Sequence, residues 1–415
     1  MRILLPKKYQ AALWIAWFLI WIVPGTIRSE DIVLGMSAAF KGPSAALGSE
    51  LYRGSMAYFE EINRTGGIGG RKIFLHACDD GYEPGPAIQN TIQLVEKHNV
   101  LALYGYVGTP TVTRALPLLK RYGDQSVYLF FPFTGAEPQR RAPYFNYVFN
   151  LRASYSQEAA GLVDHFVRLG RKRIGVFYQI DAYGRSGCEG ARAALAKHGL
   201  KIVGEATYRR GTPFTDNLSL QVEKLIQADP DAIISVGSYA ACAAFIRDAR
   251  DAGLKAPIAN VSFVGCDSLL RLLCDHEKSR GGDYTSDLIN SQVVPYADDV
   301  SLPAVREYRA LMDRHKPSPP PELIDPTYRP LPYGFVSFEG FLDAKLLVAI
   351  LKKTGPPITR DRLRQAAESL EALDLGIGEP ISFRDDRHQG LDRVYYTVVQ
   401  DGKYVTLSDW SRWQK

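Results

Sequence analysis

Twice along this chain a short apolar stretch gives way to a longer amphipathic one, over and over, and the pattern breaks and restarts only once. From residue 31 the order is "DIVLGMSAA", "SELYRGSMAYFEEINRTGG", "KIFLHACDD", "PAIQNTIQLVEKHN", "VLALYGYV", "TRALPLLKRYG" and "SVYLFFPF". The short runs are rich in β-branched and aromatic residues, and the longer ones repeat apolar residues at helical spacing. Strand, helix, strand, helix predicts a parallel sheet covered on both faces. After "YVFNLRASYSQ" the alternation restarts with "EAAGLVDHFVRLG", "RIGVFYQ", "GCEGARAALAKHG", "KIVGEATY", "LSLQVEKLIQADP", "AIISVGS" and "AACAAFIRDARDAG". A second doubly wound lobe is therefore expected, and at 415 residues and 46% hydrophobic composition the chain can bury two cores.

The rhythm fails from 275 to 335, where "SRGGDYTSD" and "KPSPPPELIDPTYRPLP" predict a surface loop or extended excursion rather than a helix. Beyond it, "SFEGFLDAKLLVAILKKTG" reads as an amphipathic helix stopped by Gly355 and two prolines. The chain finishes on "RVYYTVVQDGKYVTL", a hairpin whose Asp401-Gly402 suits a primed turn.

At the other end, Arg2, Lys7 and Lys8 precede the apolar run "AALWIAWFLIWIV" and a small residue, Ser29. This predicts a secretory signal over 1–29 and an exported, periplasmic protein. Thirteen helical residues cover about 20 Å, short of the hydrocarbon thickness of about 30 Å, so a retained anchor is the weaker reading. The 50 basic and 45 acidic residues form neither a basic run nor a basic-aromatic stripe, which argues against nucleic acid. Five scattered cysteines do not make a disulfide scaffold; Cys266 and Cys274 are the pair expected if any forms.

Candidate chemistry thins out on inspection. "TGGIGGRK" follows a helix and enters a strand, the reverse of what a phosphate cradle needs, so it reads as a helix stop. "YGRSGCEG" lacks the spacing of a nucleophile elbow, and the seven histidines stand in no zinc or triad spacing. No catalytic residue, metal site or cofactor is expected. What survives is "GYVGTPTVTRALPLL" together with "FFPFTGAEP". In the first, a strand ends at Val107, Gly108 turns the backbone, and Thr109 to Thr111 open a helix whose first amides lack partners. In the second, Thr134 and Gly135 follow another strand. Ligands of open parallel sheets sit outside the carboxyl ends of the strands, so both stretches point to one crevice. Plain helix capping would also explain these threonines.

Taken in order, "DIVLGMSAAFKGPSAALGSELYRGSMAYFEEINRTGGIGGRKI", "DDGYEPGPAIQNTIQLVEK", "GYVGTPT", "PFTGAEP", "DAYGRSGCEGARAAL", "AIISVGSYAACAAFIRDARDAGL" and "SFEGFLDAKLLVAILKKTG" resemble the type I periplasmic solute-binding proteins, in particular the leucine/isoleucine/valine-binding proteins of ATP-driven importers. The resemblance implies an α/β fold of two doubly wound parallel-sheet lobes with three crossovers and a ligand cleft between them. Lobe one would take 30–152 and 296–378, lobe two 153–295 and 379–415. It implies a monomer with a small-molecule ligand and an inner-membrane ABC permease as partners; a ligand-sensing subunit of a membrane signalling system is the alternative. By position it assigns ligand contacts to Leu47, Thr109, Phe133, Thr134, Gly135, Tyr183, Ser238, Tyr239 and Ser262. Two departures stand out. Ser262 takes the place where family members that bind aliphatic amino acids carry an acid for the ligand ammonium, with Asp267 or Asp181 as substitutes if the loops shift. Tyr82 and Gly108 stand near the positions of a first-lobe disulfide found in some members.

Overall fold

The first alternation folds as β1 (Ile32–Ala38), α1 (Ala45–Arg64), β2 (Ile73–Asp79), α2 (Pro84–Ile92), β3 (Ala102–Tyr104), α3 (Thr109–Arg121), β4 (Leu129–Phe130) and β5 (Val148–Phe149). Its strands form one five-stranded sheet in the order β2-β1-β3-β4-β5, with parallel neighbours throughout. Successive side chains leave a strand on opposite faces. Accordingly Leu103 packs in a core with Leu94, Val112 and Leu116, and the next residue, Tyr104, in another with Phe59 and Phe341. Both faces are covered, as a parallel sheet requires.

The second alternation gives α4 (Tyr155–Arg168), β6 (Ile174–Gln179), α5 (Ala182–Lys197), β7 (Gly204–Tyr208), α6 (Ser219–Gln227), β8 (Ala232–Val236), α7 (Tyr239–Asp251), β9 (Ile258–Asn260), α8 (Cys266–Arg280) and β10 (Leu288–Gln292). The chain then adds α9 (Pro303–His315), α10 (Phe335–Thr354), α11 (Arg360–Glu368), the two-stranded pair β11 (Leu373–Asp374) and β12 (Pro380–Ile381), and the hairpin β13 (Tyr395–Gln400) and β14 (Lys403–Thr406). The second sheet runs β14-β13-β10-β9-β8-β6-β7. Strands β6 to β10 are parallel, while β13 lies antiparallel on β10 and β14 antiparallel on β13. Asp401 and Gly402, at φ +50° and +69°, make the primed turn that their sequence predicts. The two doubly wound lobes of the expected fold class are present, and the chain crosses between them three times. The residue 378/379 boundary expected from the sequence lies between the paired strands β11 and β12. Further on, the amides of Gly390 and Leu391 still donate to the carbonyls of Asn150 and Leu151, each at 2.8 Å.

Three expectations need correction. The stretch 275–335 contains strand β10 and the thirteen-residue helix α9, which starts on Pro303 and buries Val305, Tyr308, Leu311 and Met312 at helical spacing. Helix α10 is not one-sided: 16 of its 20 residues are buried. It crosses α1 so closely that a Cβ added at Gly54 would fall 1.7 Å from the carbonyl oxygen of Ser337. Cys266 and Cys274 are both free. They stand eight residues apart on α8, about 12 Å along its axis, beyond the reach of a disulfide.

The computed structural model describes residues 31–415, so the expected signal segment lies outside the described residues. Among those described, no helix is long and apolar enough to cross a membrane, and no three His, Cys, Asp or Glu side chains gather so as to hold a metal ion.

Candidate functional site

Where β3 ends, the backbone turns at a position with little freedom. Gly108, at φ +108°, precedes α3, and a Cβ there would lie 2.3 Å from the ring of Tyr82. Tyr82 and Gly108, the two positions expected near a first-lobe disulfide, are thus occupied by a ring lying over a glycine. Past this turn Thr109 Oγ1 lies 2.6 Å from Thr134 Oγ1 and donates to the Tyr155 hydroxyl at 3.4 Å. Val107 bridges to Phe133, which holds the two strand ends side by side. Gly135 supplies the carbonyl for the Tyr155 amide, at 2.7 Å. The result is a buried shelf of neutral hydroxyls at the carboxyl edge of the first sheet.

The second lobe meets this shelf with aromatic rings. Asp181 caps α5, taking the Tyr183 amide at 2.9 Å. That cap aims the Tyr183 ring at Tyr155, 5.1 Å away between centroids, and at Phe263, 4.6 Å away. Phe263 is the hub: it also lies 5.2 Å from Phe133 and 5.9 Å from Tyr82. Phe263 and Tyr155 are the aromatic contacts that sequence reasoning missed. The signal for Phe263 was present in "ANVSFVGCD", one residue after Ser262 at the end of β9.

The remaining expected residues fall into neighbouring groups. Ser262 does not replace an acid so much as hold one. Its amide and hydroxyl donate to Glu158 at 2.7 and 2.9 Å, and Glu158 also accepts from Ser291 at 2.6 Å. Arg152 donates to the Ser262 hydroxyl and lies 3.8 Å from Glu158 on one side and 3.6 Å from Glu339 of α10 on the other. Leu47 and Tyr239 both border Gly265, and the Tyr239 hydroxyl accepts from the Ala46 amide of α1 at 3.3 Å. Ser238 donates its amide to Tyr208, which passes the contact through Gln179 to Tyr82. Thr109, Phe133, Thr134, Gly135 and Tyr183 thus come together directly, and Ser262, Leu47, Tyr239 and Ser238 line the same interlobe layer.

Neither substitute acid reaches the shelf. Asp267 accepts the Phe335 amide at the start of α10, at 2.8 Å, and burial pushes it up to about 7. Asp181, beyond its capping role, is tied to Arg210 at 3.2 Å and to Gln179 at 2.7 Å. Burial likewise pushes Glu339 up to about 7, against the pull of Arg152, and holds Asp343, one turn further along α10, well above the usual carboxylate range.

With this geometry in hand, known proteins can be set beside it. The family model for periplasmic binding proteins matches residues 31–403. The crystal structure of a possible leucine/isoleucine/valine-binding protein from Rhodopirellula baltica SH 1 superposes with a TM-score of 0.82 at 34% identity, over 92% of this chain and 97% of that one. Leu/Ile/Val-binding protein homolog 7 of Brucella abortus is 24% identical over 400 residues, 91% of this chain and 92% of its own. Homolog 3 of Brucella melitensis is 29% identical over 227 residues, a match that spans 54% of this chain and 60% of the relative's length. A family match that runs from β1 to the final hairpin, on a fold with its aromatic and hydroxyl contacts between two doubly wound lobes, places this chain in the periplasmic binding protein family.

Proposed function

We propose that this chain is the exported substrate-binding protein of an ABC importer. In the periplasm it takes a small organic solute between its lobes and delivers it, chemically unchanged, to a permease of the inner membrane. The observation that carries this reading is the meeting of the Thr109–Thr134 hydroxyl pair with Tyr155, Tyr183 and Phe263 of the opposite lobe. That layer lies at the carboxyl ends of parallel strands, where open α/β sheets take their ligands. The names of the relatives, a possible leucine/isoleucine/valine-binding protein and a Leu/Ile/Val-binding protein homolog, support an amino-acid-like or other small carboxylate solute.

Residues from both lobes should then be needed for binding. Thr109→Val removes a hydroxyl from the shelf, and a lost hydrogen bond to a charged group weakens affinity by about 1.5 to 3 kcal/mol, roughly 10- to more than 100-fold. Tyr183→Ala removes the ring that the second lobe contributes. A thermal-shift screen of amino acids, amides and carboxylates identifies a ligand, since about 100 Kd of it stabilises the fold by about 2.7 kcal/mol. Calorimetry on the two variants follows, and unchanged affinity in both refutes the cleft assignment. Conversion of the bound solute by the purified protein refutes the transport reading.

A further inference from the structure

The acid that the loop after β9 lacks is supplied by Glu158, yet the arrangement around Glu158 is that of a site for anions. We infer that Arg152 receives the carboxylate of the solute and that the solute carries no ammonium group. This rests on the interlobe reading above.

Arg152 is 1% exposed, and its guanidinium lies 4.6 Å over the Phe133 ring and 5.9 Å from the centre of Tyr155, beside the hydroxyl shelf. A guanidinium has five N–H donors. Only Nη2 donates a hydrogen bond, to Ser262, while Nε and Nη1 are buried and donate none. Glu158 is in the opposite condition. Its two oxygens already accept from the Ser262 amide, the Ser262 hydroxyl and the Ser291 hydroxyl. Of the Arg152–Glu158 pair, the unused capacity is therefore the guanidinium's, at Nε and at Nη1, which lies 3.6 Å from Glu339 without a hydrogen bond.

A carboxylate meets that capacity with two parallel N–H···O bonds. An ammonium finds Glu158 occupied and a guanidinium beside it, and a buried ammonium without its own partner is strongly disfavoured. The charge count agrees. Glu339 and Asp343 are both raised by burial, which favours their protonated forms. Arg140, lowered by burial and by Arg152 only to about 10, stays charged at neutral pH. Arg152 and Arg140 then stand beside buried acids of α10 that are shifted toward their neutral forms, and an anion balances the set. The rings of Phe133, Phe263 and Tyr183 suit an apolar remainder of the solute.

The test is calorimetry on the full-length chain with matched probes: leucine against 4-methylpentanoate and 4-methylpentanamide, and phenylalanine against 3-phenylpropanoate and 3-phenylpropanamide. The expected result is that a deamino acid binds on the order of 100-fold more tightly than its amino acid and its amide. Arg152→Gln should remove that preference, and Arg152→Lys should keep part of it. The selectivity of the unaltered chain needs no variant, so a misfolded Arg152→Gln does not blunt the test. If leucine or phenylalanine binds at least as tightly as its deamino partner, and Thr109→Val weakens it while Arg152→Gln does not, the interlobe reading survives and the Arg152 inference falls. If none of the six probes binds, the carboxylate class falls as well.

Discussion

Thr109, Thr134 and Tyr155 hold one another through neutral hydroxyls at 2.6 to 3.4 Å. Over the Phe133 ring, Arg152, Glu158 and Glu339 hold charge-bearing groups out of water. Both groups are buried and both join elements remote in the chain, but they respond differently to the loss of a member. A hydroxyl that loses its neighbour loses one hydrogen bond and is small enough to turn to another. A guanidinium that loses its carboxylate stays charged in a medium that does not solvate it. The shelf can thus be tuned for a ligand at modest cost to the fold, while the ionic cluster couples ligand preference to the stability of the interlobe layer.

The largest expected effect follows from breaking the ionic side. Glu158→Ala removes the partner of Arg152 together with the acceptor for the Ser262 amide and the Ser262 and Ser291 hydroxyls. It should destabilise the protein by about 3 to 5 kcal/mol, the range for an orphaned buried charge. The denaturation midpoint in urea, at unchanged slope, reads this directly. Replacing the pair together, Arg152→Met with Glu158→Leu, should cost much less than the two single changes added. Should Glu158→Ala cost no more than a shelf hydroxyl, the contrast between the two groups collapses.

A smaller effect comes from Glu339, which faces Arg152, Glu158 and Arg140, with Asp343 one turn away on its own helix. Burial raises its carboxyl from 4.5 to about 7. The folded state therefore holds its proton over a range in which the unfolded chain has released it. Its contribution to stability is complete below about pH 4.5 and is lost as pH rises through about 7. Asp80 and Asp267, each also raised by burial to about 7, act in the same direction. The unaltered chain should lose stability across this window, and Glu339→Gln should lose about 1 to 3 kcal/mol less of it. Urea titrations at several pH values between 4.5 and 8 separate the two curves, and parallel curves count against this account of Glu339.

The same contrast explains what could be read in the chain beforehand. The shelf was legible because its parts are local: a strand end, a glycine turn and a helix start carry Thr109, and another strand end carries Thr134. The ionic cluster was not, because Arg152 and Ser262 stand 110 residues apart and meet only when β9 of one lobe packs against the first crossing. Arg152 and Glu158 both lie in "NLRASYSQE", which reads as a linker and the start of a helix. Helix α9 was hidden by the proline-rich composition that follows it, although its own apolar spacing is regular. The one-sided pattern expected of α10 dissolved because α1 and neighbouring helices cover nearly all of its faces.

The smallest prediction dissects the threonines that the sequence groups together. Thr111 and Thr113 share the opening turns of α3 with Thr109, yet their hydroxyls have separate fates. Thr111 Oγ1 lies within hydrogen-bond reach of the carbonyls of Val107 and Gly108, at 2.7 and 2.8 Å, so it turns back on its own helix. Thr113 Oγ1 is buried with no partner. Valine matches threonine in shape and lacks the hydroxyl. Thr111→Val should therefore cost about 0.5 to 1.5 kcal/mol, the net worth of one neutral hydrogen bond, because the helix amides still serve part of the carbonyl capacity. Thr113→Val should change stability by no more than about 0.5 kcal/mol and can stabilise, since it removes a polar atom that the fold leaves unpaired. Neither substitution should move ligand affinity, because neither hydroxyl belongs to the shelf formed with Thr134 and Tyr155. Thermal unfolding and calorimetry on the pair test this together. A loss of affinity in Thr113→Val would mean that its unpaired hydroxyl completes its bonding on the solute, and the shelf would then extend one turn further along α3.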